Sequence, residues 1–410
     1  MRVLVFTGKG GVGTTTAAAA TATLGALRGL RTLVVSTDAA HSLGDVFDAP
    51  VGPDPTDIDD RLYAQQVDAQ RLLERSWSEV GAPLAGALGT AGAGTFRREE
   101  AVVLPGLEEL LVMLELGNQL RSGRWDLVVV DGAPTAHALR LLSLPENLTH
   151  HLRRLFGAGS GQGEARALRP VQSGGEVAER LHSELAEVHD RLAEATTTVR
   201  LVLTPDTVVT AEVRRAFTTL ALYDYRVDAI IANRLFPQNS TDPWLRQWSA
   251  AQNVVLADVE QSFAGTPIYR SPYRSCEPVG LAELAAFAAE AYGSADAFAP
   301  ARGPGPTTLY ADETGHELRF ALPNAQGTDL ALARKENQLV LTVGSYRRVL
   351  TLPDELRCAE VVGASLLDGQ LVVRFGHATG QSGQVAVPEN ERFDRRGLRS
   401  DRRGAWSTTV

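Results

Sequence analysis

Cysteine is nearly absent from this chain of 410 residues, which contains only Cys276 and Cys358. Two cysteines so far apart, with no C-x-x-C pair, exclude a disulfide framework and argue against a structural zinc site. Methionine is equally scarce, with Met1 and Met113 the only two. The composition therefore gives no sign of a thiolate metal centre or of a methionine-rich binding surface.

Long apolar runs are also missing, since no stretch approaches the roughly 20 residues that cross a bilayer. The first residues lead directly into a strand pattern without the features of a signal peptide. Lys and Arg number 40 against 49 Asp and Glu, a net charge of −9, whereas nucleic-acid binding needs concentrated positive charge. We expect a cytoplasmic protein with no integral membrane segment and no nucleic-acid partner.

What the sequence does contain is a series of short apolar runs that alternate with helical patterns, at residues 2–6, 31–36, 125–130, 200–204 and 227–232. Such runs are typical of strands buried on both faces of a parallel sheet. They predict an α/β fold with a doubly wound, mostly parallel sheet over residues 1–295. Helical periodicity between the runs predicts helical insertions at about 70–120 and 146–198.

The composition changes after a Pro- and Gly-rich linker at residues 296–306. Beyond it, apolar and polar residues alternate with period two, which predicts a small all-β sandwich over residues 307–376. The remaining residues, 377–410, combine arginines, acids and glycines without a pattern, and we predict that they form a disordered tail.

A glycine-rich segment, GKGGVGTTT, follows the first strand and precedes the first helix. Its glycines allow backbone amides to approach phosphate oxygens, and the helix N-terminus adds positive potential. Thr15 stands where a P-loop hydroxyl binds magnesium. The alternative is a structural glycine turn. The predicted nucleotide-binding residues of this segment are Gly8, Lys9, Gly10, Gly11, Val12, Gly13, Thr14, Thr15 and Thr16.

This segment resembles the deviant Walker A motif of the ATPase group that contains MinD, ParA, the nitrogenase iron protein and ArsA. The resemblance implies that Lys9 is the signature lysine, which reaches a partner's phosphates across a dimer interface. The ordinary P-loop lysine is replaced by Thr14, and losing one charged hydrogen bond costs about 1.5–3 kcal/mol. A cation supplied in trans can contribute roughly 10³–10⁵ in rate. We expect slow hydrolysis, and a binding-only switch remains open.

Two carboxylates, Asp38 and Asp131, follow buried strands at the edge where open α/β sheets bind ligands. Phosphoryl transfer uses one carboxylate to orient water and another on the magnesium side. DAAHSLGDVF and DGAPTAHALRLL resemble the two switches of the ArsA arsenite-pump ATPases and the tail-anchored-protein targeting ATPases. The resemblance implies that Asp38 orients water and that Asp131 serves magnesium. His41 and His137 have either a switch role or a structural one.

The resemblance spans residues 1 to about 292. Asn233, at the end of the strand VDAIIAN, matches the adenine-contacting asparagine of the family, and its alternative is a strand-end turn residue. Pro272, in PYRSCEPVG, matches the loop on the adenine side. The resemblance thus implies that ATP and Mg²⁺ are the cofactors.

The C-terminal region resembles the α-crystallin domain of small heat-shock proteins, through Leu322-Pro323 and the segment ASLLDGQL. Asp368-Gly369 suits a tight turn before the last strand. Bacterial and chloroplast relatives of the targeting ATPases pair an ATPase with such a domain, and this chain resembles that subgroup. A β-sandwich without chaperone activity is the alternative.

Differences between this sequence and the family's usual pattern limit which functions of the family we expect here. A single phosphate loop implies that a composite site requires a homodimer, and two cysteines cannot supply the three thiolates that sense arsenite. We expect an ATP-binding, slowly hydrolysing homodimeric switch that handles a hydrophobic polypeptide or helix. The alternatives are a nucleotide-binding pseudo-ATPase scaffold that presents the β-sandwich to a partner, and a ParA- or MinD-like positioning ATPase.

Overall fold

The structure is a computed structural model that describes residues 1–38, 42–76, 107–143, 172–301, 303–312, 315–325, 330–376 and 405–406. The chain divides into two compact units. The first comprises Met1–Val213 and Val227–Ala301, and the second comprises Arg214–Arg226 and Arg302–Val410. Residues 77–106 and 144–171, which include parts of the two predicted insertions, and most of the predicted tail lie outside the described residues.

An eight-stranded sheet forms the centre of the first unit, in the order β3-β4-β2-β5-β1-β6-β7-β8. All neighbouring strands are parallel except the antiparallel pair β3 and β4. The strands are β1 (Arg2–Gly8), β2 (Thr32–Ser36), β3 (Thr56–Asp59), β4 (Leu62–Gln66), β5 (Leu127–Asp131), β6 (Thr197–Leu203), β7 (Val227–Leu235) and β8 (Ile268–Pro272). The predicted doubly wound, mostly parallel α/β fold is confirmed.

Helices connect these strands, and the apolar strands β1, β2, β5 and β6 are buried along their whole length. The helices are α1 (Thr14–Leu27), α2 (Leu43–Phe47), α3 (Ala69–Ser76), α4 (Leu107–Arg121), α5 (135–143), α6 (Gln172–Ala193), α7 (Thr207–Leu222), α8 (Pro243–Ser262) and α9 (Leu281–Tyr292). Helix α1 packs closely against α9 and β5 because its buried positions are mostly alanines. In the described residues, no helix combines the length and the apolarity needed to cross a membrane.

A buried ion network joins the strands on the β6–β7 side of this sheet. The Arg200 side chain is 2% exposed, and its guanidinium contacts both carboxylate oxygens of Asp228 at 3.2 Å. It also donates to the hydroxyl of Tyr292 at 3.0 Å and to the carbonyl of Ala297. Arg2 donates to the same Asp228 at 2.8 Å. One carboxylate thus compensates two largely buried guanidiniums.

The second unit contains two antiparallel sheets, β16-β14-β15-β10-β9 and β11-β12-β13. Their strands are β9 (Thr307–Asp312), β10 (Gly315–Ala321), β11 (Leu330–Lys335), β12 (Gln338–Val343), β13 (Tyr346–Thr351), β14 (Glu360–Leu367), β15 (Gln370–Gly376) and β16 (Ala405–Trp406), with a short helix α10 (Asp354–Arg357) before β14. The all-β second domain is therefore confirmed. Within the residues predicted to form the tail, Ala405–Trp406 pairs with β14.

The turn between β14 and β15 has the predicted tight geometry. Asp368 and Gly369 have φ values of 49° and 72°, and positive φ at both central residues is the signature of the hairpin turn that Asp-Gly favours. The pairing of Leu367 with Gln370 closes the two-residue loop.

Several strands, among them β3, β4, β8 and β9, escaped the sequence analysis because their residues do not form apolar runs. Strands β3 (TDID) and β4 (LYAQQ) are short and polar. Strand β8 (IYRSP) lies at the sheet edge and ends in proline, which edge strands tolerate. Strand β9 (TTLYAD) begins inside the predicted boundary of the sandwich without its alternation.

Candidate functional site

The glycine-rich loop joins the carboxyl end of β1 to the first turn of α1. Gly13 caps that helix with φ of 92°, and neither a capping side chain nor an acidic residue is present in the first turn. A Cβ added at Gly10 or Gly11 would meet no atom within 4 Å, so this side of the loop is open. Unpaired N–H groups at a helix start attract anions. The geometry can therefore receive a phosphate group.

Two glycines of the loop are required by close approaches of neighbouring atoms. A Cβ at Gly13 would lie 2.4 Å from Nδ2 of Asn233, and a Cβ at Gly8 would lie 2.3 Å from the carbonyl oxygen of Val202. Both distances are far below van der Waals contact. The loop can lie this close to β6 and β7 only because these positions lack side chains.

Asp131 ends β5 and lies beneath the loop with no exposed surface. Its Oδ2 accepts a hydrogen bond from the Ser36 hydroxyl at 3.0 Å, whereas its Oδ1 has no hydrogen-bond partner among the described residues. Burial raises the pKa of this carboxyl from 3.8 to about 7, partly offset by hydrogen bonds from the hydroxyls of Ser36 and Thr15. A buried carboxylate oxygen without a partner is unfavourable unless a cation or a proton compensates it.

The oxygen atoms around Asp131 suit a magnesium ion. The Thr15 hydroxyl lies 3.4 Å from the Ser42 hydroxyl and close enough to the Asp131 carboxyl to lower its pKa. Magnesium keeps several waters and takes one or two protein oxygens together with substrate phosphate oxygens. The Oδ1 of Asp131, unpartnered among the described residues, and the Thr15 hydroxyl are oxygens of this kind. That these two residues hold magnesium stays a prediction.

Asp38 lies at the carboxyl end of β2, beside Asp131. Its backbone N–H donates to the Ser36 hydroxyl at 3.3 Å, and its carbonyl accepts from the Gln66 side chain at 2.8 Å. The charge of Asp38 also raises the pKa of Asp131. The two predicted carboxylates are therefore neighbours, held by adjacent strands.

Lys9 extends from the loop toward α7, where its Nζ lies 4.0 Å from Oε2 of Glu212. The two side chains are 40% and 29% exposed, and ion pairs this open contribute about 0–1 kcal/mol. Thr14 begins α1 with a half-buried side chain. Lys9 is thus held only weakly in this state of the chain.

Asn233 lies against the loop, with its side chain 5% exposed. Its Nδ2 donates to the carbonyl of Val12 at 2.8 Å, and its Oδ1 accepts from the backbone N–H of Arg234 at 2.9 Å. The side-chain amide of Asn233 therefore links the end of β7 to the glycine-rich loop. The second N–H of this amide is available to another acceptor. Pro272, the other predicted adenine-side residue, ends β8 opposite Leu235 of β7.

Of the two histidines in the switch segments, His137 belongs to α5 and its backbone N–H donates to Pro134 at 2.8 Å. His41 lies outside the described residues. The sequence analysis did not single out Ser36, Ser42 or Glu212. Ser36 and Ser42 lie within four residues of Asp38, and this proximity in the sequence is a signal that could have identified them as site residues. No sequence pattern near Lys9 could have identified Glu212, because about 200 residues separate the two.

A half-open cavity of about 210 Å³, lined by both polar and apolar side chains, adjoins the end of β2. Thr37 lines it on the strand side, and α3 and α4 enclose it with Leu73, Leu107 and Leu111. Thr37 immediately precedes Asp38 and donates its hydroxyl to the carbonyl of Asp131 at 3.3 Å. The cavity thus lies one residue from a predicted catalytic carboxylate, against two helices of the predicted first insertion.

Comparison with known proteins identifies similarity over both units. Residues 1–293 match the family model described as anion-transporting ATPase, and residues 313–375 match one described as an HSP20-like domain found in ArsA. A Chlorobaculum tepidum protein provisionally named an arsenical pump-driving ATPase is 31% identical over 92% of this chain and 96% of its own length. An ATPase ASNA1 homolog of Trypanosoma cruzi is 29% identical over 68% of this chain and 88% of its own.

Proposed function

Because this chain belongs to the ArsA family of ATPases, we propose that it is an ATP-dependent homodimeric switch that handles a hydrophobic polypeptide. Relatives across the whole chain carry names as ATPases, which supports nucleotide hydrolysis as the activity. ATP is the substrate in this proposal, and Mg²⁺ is the resident metal.

The single observation that carries the proposal is the unpartnered Oδ1 of Asp131, buried directly below the phosphate loop. An ordinary structural aspartate would have both oxygens satisfied. Here the carboxyl lies close to the Thr15 hydroxyl, on the strand beside the one that leads into the open helix N-terminus, so this region offers a ligand for a cation and donors for an anion. A magnesium nucleotide supplies both.

Each residue of the site has a distinct task in the proposed reaction. The amides of the loop from Gly10 to Thr15 bind the phosphates, and Thr15 and Asp131 hold Mg²⁺, which neutralises charge that develops on the phosphates. Asp38 accepts a hydrogen bond from the attacking water and orients it toward the terminal phosphorus. Asn233 and Pro272 contact the adenine.

Thr14 lowers the expected rate without removing the site. A threonine side chain donates one hydrogen bond and carries no charge, so the phosphates lose a cation that an ordinary P-loop provides. The loop amides and the Asp131–Thr15 pair are unaffected by this replacement. We therefore propose slow turnover, with Lys9 of the second copy providing the remaining positive charge.

The homodimer follows from the count of phosphate loops and from the position of Lys9. The chain has one such loop, and Lys9 is partly exposed with only a long ion pair to Glu212. Breaking that contact costs little, so Lys9 can extend to the phosphates of a second copy when ATP is bound.

The proposed client surface is formed by the helices beside the switch. The half-open cavity between β2, α3 and α4 includes the apolar side chains of Leu73, Leu107 and Leu111 and lies against Thr37. The Thr37 hydroxyl is hydrogen-bonded to the backbone carbonyl of Asp131. A change at the phosphate side of Asp38 and Asp131 therefore reaches α3 and α4 through adjacent residues, which is how a nucleotide state would alter the binding of an apolar segment.

Sedimentation velocity and calorimetry of the purified chain test the proposal together. We expect one nucleotide to bind per chain with Mg²⁺, a monomer with ADP, and a dimer with a hydrolysis-resistant ATP analogue. An absence of heat on adding ATP and Mg²⁺ would refute nucleotide binding itself. Binding without a change in sedimentation would refute the dimeric switch while leaving the nucleotide site intact.

A pseudo-ATPase scaffold is the second candidate, and Thr14 is the observation that favours it. In that case the chain binds nucleotide without hydrolysing it and presents its β-sandwich to a partner. Phosphate release measured at saturating ATP distinguishes the two functions, because turnover above that of an Asp38→Asn variant is expected only of the ATPase.

A further inference from the structure

Four aromatic side chains form an exposed cluster at the carboxyl edge of the main sheet, and we call Phe236, Trp244, Trp248 and Tyr273 the aromatic cluster. Phe236 stacks on Tyr273 with centroids 5.3 Å apart and planes at 3°. Trp244 and Trp248 lie 6.2 and 6.1 Å from Phe236 and 5.9 Å from each other. The rings of Trp244, Trp248 and Tyr273 are 59%, 44% and 54% exposed.

Hydrogen bonds fix the backbone that carries the aromatic cluster. Asp242 caps α8 by accepting hydrogen bonds from the backbone N–H groups of Trp244 and Leu245 at 2.7 and 3.2 Å, which fixes the first turn. The buried side chain of Gln252 accepts from the N–H of Phe236 at 2.8 Å. Helix α8 and the segment after β7 therefore hold the rings in one arrangement.

Hydrogen bonds connect this cluster to the phosphate loop. Gln252 also donates to the carbonyl of Arg234 at 3.1 Å, and the N–H of Arg234 donates to Oδ1 of Asn233. Asn233 in turn donates to Val12 in the loop. Arg234 is held between these partners with φ of 58°, a backbone conformation that a non-glycine residue rarely adopts. The aromatic cluster and the proposed nucleotide site thus lie at the same edge of the sheet, and a continuous series of hydrogen bonds links them.

We infer that the aromatic cluster is a contact between two copies of this chain in the nucleotide-bound dimer, a statement that rests on the proposed function. The copy that delivers Lys9 to the phosphates must approach this edge of the sheet, where the cluster is exposed. In a two-fold dimer the same patch of each copy takes part in the interface.

The size and composition of the patch agree with a protein partner. Three rings at these exposures leave roughly 300–400 Å² of aromatic surface open to water, compared with about 800 Å² that each partner buries in a standard interface. Exposed arginines, Arg234 and Arg246, accompany the rings, and Trp, Tyr and Arg are the residues enriched at interface centres. Rings can also stack on nucleic acid bases, but the chain carries a net charge of −9.

The test compares dimerisation of three variants by sedimentation velocity with Mg²⁺ and a hydrolysis-resistant ATP analogue. Trp244→Ser with Trp248→Ser removes the rings, and Ala251→Glu adds a carboxylate on the exposed face one turn further without altering a ring. Leu27→Ser is the matched control, because Leu27 is 67% exposed at the far end of α1, on the opposite edge of the sheet.

We expect dimerisation to weaken roughly 30-fold or more in the double Trp variant, as for interface hot spots, and to weaken in Ala251→Glu. The Leu27→Ser variant should dimerise normally. Nucleotide affinity, measured by calorimetry at concentrations where all chains are monomeric, should be the same in all of them. Because the changed side chains are exposed, circular dichroism should show native folding.

Three results would overturn the inference. If the unmodified chain dimerises with nucleotide and the double Trp and Ala251→Glu variants dimerise equally well, the cluster is not at the interface. If the Trp variants lose nucleotide affinity as monomers, the rings contact the nucleotide instead. A shift of the unmodified chain by single-stranded RNA, lost in the Trp variants, would likewise assign the cluster to another partner. Failure of the proposed function is distinct, because then the unmodified chain itself does not bind or does not dimerise.

Discussion

Thr14 occupies the first helical position of α1, where its side chain is only half-buried. In the proposed function, a lysine at this position would extend a positive charge toward the phosphates. At the residue scale, two features govern the proposed chemistry. One is the uncharged side chain of Thr14, and the other is the buried carboxylate of Asp131, whose Oδ1 has no hydrogen-bond partner among the described residues.

Replacing Thr14 by lysine is expected to increase phosphate release. One charged hydrogen bond to the phosphates contributes about 1.5–3 kcal/mol, which corresponds to roughly ten- to a hundredfold in rate or affinity. Steady-state phosphate release at saturating ATP measures the effect. Thr14→Met is the matched control for chain length without charge, and an equal gain in that variant would show that charge is not the cause.

Asp131→Asn is expected to abolish magnesium-dependent turnover while stabilising the nucleotide-free protein. The folded-state pKa of Asp131 is about 7 against 3.8 for an ordinary aspartate, so the folded state holds the proton more tightly than the unfolded state. The contribution of Asp131 to stability is therefore lost as pH rises from about 4 to about 7, by at most about 1.4 kcal/mol per pH unit.

Urea unfolding of both proteins at pH 5, 6, 7 and 8, with EDTA and without nucleotide, measures this difference. The advantage of the Asn variant should grow with pH up to about 7 and then level off. An advantage that is constant, or that falls with pH, would contradict a buried carboxylate with a raised pKa.

At the scale of elements, the sheet is held together by more than apolar contacts. Strands β1, β6 and β7 meet at Asp228, which pairs with Arg2 and Arg200. Arg200 also donates to the carbonyl of Ala297, in the segment after α9. Such a network contributes little compared with an apolar core of the same shape, yet removing one member leaves an uncompensated buried charge.

Asp228→Ala is expected to lower the free energy of unfolding by about 3–5 kcal/mol, because the buried guanidinium of Arg200 loses its counter-charge. The midpoint of urea unfolding measures the loss. The matched control is Asp54→Ala, which breaks the exposed pair of Asp54 with Arg75 and should leave the midpoint unchanged. Equal effects of the two substitutions would show that burial does not govern the network.

At the scale of the whole molecule, charge opposes the proposed dimer. Each chain carries a net charge of −9, so two copies repel each other through water, and salt screens that repulsion over about 8–10 Å at physiological ionic strength. The aromatic cluster adds an apolar contact that salt does not weaken.

The nucleotide-bound dimer is therefore expected to strengthen severalfold as the salt concentration rises from about 0.05 to 0.2 M, a range in which the screening length shortens appreciably. Sedimentation equilibrium at a fixed concentration of the ATP analogue measures the dissociation constant. A dimer that weakens steadily over this range would indicate instead that attraction between charges, such as Lys9 to phosphate, dominates its formation.

The amino-acid sequence by itself determined the glycine-rich loop, the helix after it, the buried strands and the Asp368-Gly369 turn, because each depends on residues that are close together in the chain. It also placed Asp38 and Asp131 at strand ends. It could not show strands such as β4, whose polar residues pair only because β2 lies beside them.

Only the tertiary structure decided the relations between distant segments. The unpartnered oxygen of Asp131, the contact of Lys9 with Glu212 and the hydrogen bonds from Val12 through Asn233 to Gln252 each join residues far apart in the chain. The same holds for the aromatic cluster, whose rings come from two strand ends and a helix. Spacing along a sequence specifies local geometry, whereas burial and the pairing of charges exist only after the chain has folded.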